Sequence, residues 1–326
     1  MRYRSPDEDS ARWDGFPFRQ GDIVISTRSK SGTTWMQMIC ALLIFQTPEL
    51  PAPLSTLSPW LDWLIVPRDE VVGRLAAQRH RRFIKTHTPL DGIPSDPRAT
   101  YVVVARHPLD MAVSLFHQGA NLNRDRIAEL TRTPAPAGEQ PQADGPAVGP
   151  AGGPADGLAE SPTPAPPALE RPRATQAPQA PMHDALLAWI DRDVAPADAM
   201  DSLPGVMWHL ADAWNRRHEQ NVLLVHYADL SADLDGEMRR IAERLGIEVS
   251  DEQWPALVEA AGFTEMRRRA KQLAPDPAGI LKDSDAFFRR GSSGAGRELL
   301  TEAEFTHYLD RAADMAPPDL LAWLHR

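Results

Sequence analysis

Residues 22–35, with the sequence DIVISTRSKSGTTW, decide the fold of this chain. The short β-branched run at 23–25 indicates a buried strand, and the apolar run 34–45, which lacks Pro and Gly, indicates a buried helix. The turn between them contains Lys30, Gly32 and several hydroxyl side chains. Because a helix N-terminus presents unpaired N–H groups and partial positive charge, this turn is predicted to bind a phosphate-like anion.

Three further segments have the composition of buried strands. They are residues 82–86, 101–105 and 221–227, and the middle one, YVVVA, is continuously apolar, as expected when both faces are covered. Helical patterns alternate with them, for example at 109–119. Such alternation is typical of a parallel sheet with helices on both faces. The sequence therefore predicts an α/β fold: a single P-loop-like domain of three layers over residues 1–326, with a mostly parallel central sheet.

Residues 134–181 interrupt this alternation. The segment holds 13 of the 31 prolines, is rich in Ala and Gly, and has no aromatic residue. Its larger aliphatic side chains are Val148, Leu158 and Leu169 alone. Because so little apolar surface cannot offset the conformational entropy lost on ordering, the segment is predicted to be a disordered, low-complexity insertion within the domain.

Composition narrows the classes of function. The formal net charge of −10 argues against general nucleic-acid binding, which needs a basic surface. A single cysteine, Cys40, allows neither an internal disulfide nor a cysteine-rich zinc site. No uncharged apolar run approaches the roughly 20 residues of a membrane span, and the charged N-terminus lacks a signal-peptide core. We therefore expect a cytoplasmic protein without membrane or nucleic-acid partners.

Polar residues follow each predicted strand. Because parallel strands bring their carboxyl ends to one edge of a sheet, we expect these side chains to share a crevice. The first of them, Lys30, precedes Gly32, so its loop differs from the common triphosphatase motif Gly-x-x-x-x-Gly-Lys-Ser/Thr. Each residue alone has an ordinary structural interpretation, whereas their convergence indicates a binding site. In chain order the residues are Lys30, Lys85, His87, Arg106, Tyr227 and Asp229.

Four motifs, in the same order along the chain, resemble those of the cytosolic type of sulfotransferases, which use 3′-phosphoadenosine 5′-phosphosulfate (PAPS). Residues 30–35, KSGTTW, match the family's 5′-phosphosulfate loop, and residues 85–89 match the segment with its catalytic histidine. Residues 106–114 match its 3′-phosphate segment, and residues 288–294 resemble its C-terminal glycine loop. The resemblance covers nearly all of the chain outside the insertion.

The resemblance implies sulfuryl transfer from PAPS to a hydroxyl or amine of a small-molecule acceptor, with 3′-phosphoadenosine 5′-phosphate (PAP) as product and no metal. It implies that His87 is the general base, and an unperturbed pKa near ~6.5 would leave that base neutral at physiological pH. Lys30 would stabilise the leaving phosphate, and Lys85 would lie beside the sulfuryl group. The implied nucleotide-binding residues are Lys30, Ser31, Gly32, Thr33, Thr34, Trp35, Arg106, Ser114, Tyr227, Phe263, Arg289, Arg290 and Gly291.

Several positions depart from the family pattern. Arg28 and Ser29 replace the usual Tyr-Pro before the phosphate loop, and His107 stands where Asn is common. Residues 295–296 are Ala-Gly in place of Asp-Trp. Residues 297–301 match the family's dimer motif only in part, so a homodimer is left open.

Two alternative functions stay open from the residues alone. A nucleotide kinase or another P-loop phosphotransferase would need a carboxylate that binds Mg²⁺ at a strand end, and Asp229 is the candidate. A non-catalytic nucleotide-binding module could use the insertion as a scaffold. The presence of His87 together with Lys85 favours an enzyme over such a module.

Overall fold

A computed structural model describes residues 1–131, 181–274, 278–291 and 293–326. Within these ranges four parallel strands form one sheet in the order β2-β1-β3-β4. The predicted parallel sheet is thus confirmed. The strands are β1 (Ile23–Thr27), β2 (Phe83–Thr86), β3 (Thr100–Ala105) and β4 (Val222–His226).

Helices cover both faces of this sheet. Short 3₁₀ helices lie at Ser10–Trp13, Leu90–Gly92, Asp285–Phe287 and Arg297–Leu299. In the described part of the chain the α-helices are α1 (Thr33–Phe45), α2 (Leu54–Leu57), α3 (Arg68–Ala77), α4 (Pro108–Asn121), α5 (Arg124–Thr131), α6 (Met182–Asp191), α7 (Leu203–Asn215), α8 (Tyr227–Ala232), α9 (Leu234–Leu245), α10 (Trp254–Ala261), α11 (Phe263–Arg268), α12 (Ala270–Leu273), α13 (Glu302–Ala313) and α14 (Pro318–Leu324).

The apolar side chains of the strands point alternately into two core layers. Val24 and Val103 pack with residues of α4, α7, α13 and α14 on one face. Ile25 and Val104 pack with residues of α1, α9 and α10 on the other face. The sheet is therefore the middle of three layers, which explains why its strands lack alternating polar positions.

The strand register aligns the carboxyl ends that carry the candidate residues. Ser26 pairs with Thr86, and Ala105 pairs with His226. Residues that follow β1, β2, β3 and β4 consequently leave the sheet at one edge. Tyr227 was predicted as the last residue of a strand, but it is the first residue of α8, because the His226 side chain accepts a hydrogen bond from the Ala228 N–H and caps that helix.

The predicted insertion at 134–181 lies outside the described residues, apart from Pro181, which precedes α6. The division of the chain into one domain with an insertion therefore stays a prediction.

In the parts of the chain that the structure describes, no helix is both long and apolar enough to cross a membrane.

Candidate active site

The loop between β1 and α1 has the backbone geometry of an anion-binding turn. Gly32, the N-cap of α1, has φ +107°, and a Cβ there would lie 3.1 Å from Cδ2 of Tyr227. Lys30 also has a positive φ, of 64°. No side chain caps the N-terminus of α1, so the N–H groups of its first turn are available to a ligand.

Lys30 is half-buried and lies near other cations. Its Nζ donates to Oε1 of Gln118 at 2.9 Å and lies 3.8 Å from the centroid of the Phe287 ring. Burial, followed by the charges of Arg106, Lys85 and Arg289, lowers the pKa of Lys30 to about 7. An anion bound in this loop would oppose both effects and favour the charged ammonium group.

Arg106 joins the phosphate loop to the aromatic residue that follows β4. Its Nη1 donates to the Lys30 carbonyl at 3.2 Å, and its guanidinium carbon lies 4.3 Å from the centroid of the Tyr227 ring. Burial and the charges of Arg290 and Arg106 lower the pKa of Arg289. The site therefore concentrates positive charge in a protein whose net charge is negative.

Asp110 on α4 holds the C-terminal glycine loop in place. Its two carboxylate oxygens accept hydrogen bonds from the N–H groups of Gly294 at 2.8 Å and Gly296 at 2.9 Å. Asp110 belongs to the motif at 106–114, but the sequence did not indicate this contact, because its partners lie 184 and 186 residues away.

Aromatic side chains form another wall of the site. Trp35 Nε1 donates to the Ala261 carbonyl at 2.9 Å, and its ring meets that of Tyr227 edge to face at 5.1 Å. Gly291 has φ +65°, and a Cβ there would lie 2.4 Å from the Phe263 ring. The glycine loop and Phe263 are therefore in direct contact, which any larger residue at 291 would disturb.

One cavity is lined by every predicted nucleotide-binding residue except Ser31. Met266, Phe287 and Phe288 also line it, although sequence analysis did not assign them. Phe288 is the first residue of the glycine-loop motif at 288–294, whereas Met266 and Phe287 lie outside every motif, and an apolar side chain by itself does not indicate a ligand. The predicted residues that line the cavity are Lys30, Gly32, Thr33, Thr34, Trp35, Arg106, Ser114, Tyr227, Phe263, Arg289, Arg290 and Gly291.

His87 lies just beyond β2 and is 5% exposed. Its Nδ1 is 2.5 Å from the Thr27 carbonyl oxygen. Because a carbonyl only accepts, Nδ1 carries the proton of the neutral ring and Nε2 keeps its lone pair. Burial and then the charges of Lys85 and Arg28 hold the pKa of His87 well below 6.5, so the expectation of an unperturbed pKa was wrong.

Lys85 is a buried cation that lies on the face of an aromatic ring. Its Nζ lies 3.7 Å from the centroid of the Trp60 ring, and that ring meets His87 edge to face at 4.7 Å. Burial lowers the pKa of Lys85 to about 8, although Glu8 and Asp62 oppose this change. Glu8 and Asp62 are thus neighbours of the site that no sequence motif indicated.

Two other sequence candidates have structural partners. The Asp229 carboxylate forms an ion pair with Arg326. His107 Nδ1 accepts from the Leu109 N–H at 3.3 Å, and its ring lies 4.9 Å from that of His325. His107 therefore caps α4 and packs against the C-terminal residues, which accounts for a histidine at this position.

Chemically, the arrangement combines a cationic cavity with a neutral imidazole whose Nε2 can accept a proton. The cavity can accept a ligand with more than one phosphate, since Lys30, the first turn of α1 and three arginines, Arg106, Arg289 and Arg290, all line it. Within the described ranges, no group of three or more His, Cys, Asp or Glu residues is placed to hold a metal ion.

Comparisons with known proteins show similarity to sulfotransferases. A family model described as "Sulfotransferase domain" matches residues 20–316. A glycolipid sulfotransferase of Mycobacterium bovis is 43% identical over 332 residues, which cover 99% of this chain and 93% of that protein. A glycolipid sulfotransferase of Mycobacterium tuberculosis is 42% identical, with the same coverage of 99% and 93%.

Solved structures share the fold at lower identity. Retinol dehydratase in complex with androsterone and the inactive cofactor PAP has a TM-score of 0.61 and 21% identity, covering 94% of this chain and 83% of its own. A mouse sulfotransferase complexed with PAP has a TM-score of 0.62 and 20% identity, covering 97% and 92%.

Proposed function

The chain belongs to the sulfotransferase domain family, and on this premise we propose that it transfers a sulfuryl group from PAPS to a hydroxyl group of a glycolipid. The observation that carries the choice of donor is a single cavity lined by Lys30, the first turn of α1, three arginines and several aromatic side chains. The choice of acceptor is supported by the two mycobacterial glycolipid sulfotransferases.

In this proposal the first turn of α1, with Thr33 and Thr34, binds the 5′-phosphosulfate, and Lys30 stabilises charge on the leaving phosphate. Arg106, Ser114 and the loop at 289–291 bind the 3′-phosphate, since guanidinium groups match its oxygens. The aromatic rings of Trp35 and Phe263 flank the adenine.

The reaction needs a base for the acceptor. His87 Nε2 takes the proton of the hydroxyl as its oxygen attacks sulfur, the new S–O bond forms, and the bond from sulfur to the bridging phosphate oxygen breaks. The anionic donor beside Lys85 opposes the charges that lower the pKa of His87 and so strengthens the base. A cytoplasmic location and a homodimer stay predictions from the sequence.

The kinase alternative is weakened because its candidate carboxylate, Asp229, pairs with Arg326. Calorimetric titration with PAP and with ATP distinguishes the two donors. We expect tighter binding of PAP, and ³⁵S transfer from labelled PAPS to a glycolipid. Tighter binding of ATP, or no transfer to any glycolipid, would contradict the proposal.

The role of His87 has its own test. We expect His87→Ala to lower kcat by about 10²- to 10⁴-fold, the usual contribution of a general base. PAP affinity should persist, because His87 does not line the nucleotide cavity. The exposed His218, changed to Ala, is the matched control. Wild-type turnover in His87→Ala would remove His87 from this role.

A further inference from the structure

Arg28 departs from the family pattern, and the proposed function gives it no role. Only 2% of the residue is exposed, and its Nη1 donates to the backbone carbonyl of His87. Its Nη2 donates to Oδ1 of Asp201 at 2.6 Å, and Met200 Sδ lies 3.7 Å from Nη1. A buried guanidinium is costly unless it is paired in this way, so the contacts constrain where Arg28 lies.

His87 lies beyond the paired residues of the sheet, and Arg28 contacts its backbone there. The last paired positions of β1 and β2 are Ser26 and Thr86, so His87 has no ladder partner. Instead its ring bonds the Thr27 carbonyl and its own carbonyl accepts from Arg28. Two adjacent residues, 27 and 28, therefore hold the ring and the backbone of His87 separately.

We propose that Arg28 is a positioning residue for His87: anchored by Asp201, it holds the His87 carbonyl so that the imidazole keeps Nε2 directed at the acceptor hydroxyl. This inference rests on the proposed role of His87 as the base. A Lys ammonium can donate to more than one acceptor, but all its N–H groups are on one nitrogen, whereas Arg28 uses two separate nitrogens, Nη1 for the His87 carbonyl and Nη2 for Asp201.

The anchor belongs to a part of the chain remote in sequence from the sheet edge. Asp201 directly precedes Ser202, the N-cap of α7. The backbone carbonyl of Asp201 accepts a hydrogen bond from Trp189 Nε1 of α6 at 2.8 Å. The position of the base therefore depends on the segment between α6 and α7 as well as on the sheet.

The charge of Arg28 also affects the pKa of His87, which can be measured. The charged and titratable groups that act on His87 are Lys85 from β2, Arg28 and, from α7, His209. Those that act on Arg28 are Asp201, Glu8 and Asp62. Removing the positive charge of Arg28 should raise the pKa of His87, whereas Asp201→Asn, which leaves that charge less compensated, should lower it further.

The test compares Arg28→Met, Arg28→Lys and Asp201→Asn with Arg217→Met, which removes a surface arginine paired with Asp319. We measure kcat, PAP affinity and the ¹⁵N shifts of the His87 imidazole. The His87 signals are assigned by their absence from the spectrum of His87→Ala. For Arg28→Met we expect a loss of about 10²-fold in kcat, as for a small misplacement of a reacting group. We expect PAP affinity to stay within about twofold, because the Arg28 side chain does not line that cavity.

The ¹⁵N shifts should show the Nδ1–H tautomer in the wild type and a mixture of tautomers in Arg28→Met. Arg28→Lys should keep the His87 pKa near the wild-type value without restoring kcat. Unchanged kcat and tautomer in Arg28→Met overturn the inference, and so does a parallel loss of kcat and PAP affinity, which would indicate a structural role alone.

If Arg28→Met fails to fold, Asp201→Asn decides, because it retains the buried Arg28 side chain and weakens only its anchor. A lower kcat with a lower His87 pKa supports the inference, and wild-type values overturn it. Failure of the proposed function is seen separately, as absent sulfate transfer in the wild type or full turnover in His87→Ala.

Discussion

Replacing Gly291 by Ala tests the aromatic wall of the cavity through a single methyl group. Gly291 has φ +65°, and the added Cβ would lie 2.4 Å from the Phe263 ring. Gly246, which ends α9, has φ +63°, but its added Cβ would meet no atom within 4 Å. Gly246→Ala therefore carries the same backbone strain without the collision.

The strain common to both variants is about 1–2 kcal/mol, the usual cost of a Cβ in the left-handed region. Both should therefore melt a few degrees below the wild type. In Gly291→Ala alone, the Phe263 ring must also move. If that ring stacks on the adenine, the lost stacking is worth about 1–3 kcal/mol, which lowers PAP affinity about 5- to 150-fold.

Thermal melting and calorimetric titration with PAP measure the two effects separately. We expect weaker PAP binding in Gly291→Ala alone, and a melting temperature for Gly291→Ala at or below that of Gly246→Ala, because only Gly291→Ala adds a collision to the shared strain. Equal PAP affinity in Gly291→Ala and Gly246→Ala would refute the placement of Phe263 against the adenine, because the ring would have moved without consequence.

Two further predictions concern charge and the insertion. PAP binding favours the ammonium form of Lys30, whose pKa is about 7 in the free protein. Affinity should therefore fall as the pH rises from 6.5 to 8.5, with proton uptake seen as a buffer-dependent heat, and a flat profile would contradict the shift. Replacing residues 134–181 by a short Gly-Ser linker should change the melting temperature by less than about 2 °C, since the segment lacks core-forming side chains, and a large drop would show that it is structural.

Local chemistry explains how much of the fold and the site was predictable. The β-branched run at 23–25 and the continuous apolar run at 101–105 specify buried strands wherever they occur, and both are strands here. Parallel pairing then brings the strand ends together, and Lys30, Arg106 and Tyr227, which were predicted to share a crevice, line the cavity. Lys85, His87 and Asp229 were predicted at the same sheet edge but do not line it. Tyr227 was misplaced because the cap from His226, and not β propensity, decides where the strand ends.

The pKa of His87 was decided by tertiary structure alone. The sequence supplied a histidine with the pKa of its free side chain, but burial beside Lys85 and Arg28 lowers that pKa. Arg28 was unexplained in the sequence because its partners, His87 and Asp201, lie 59 and 173 residues away. Motifs and periodicity are local, so they determine strands, turns and ligand chemistry. Desolvation and charge depend on which distant side chains the fold brings into contact, and only the folded chain determines those.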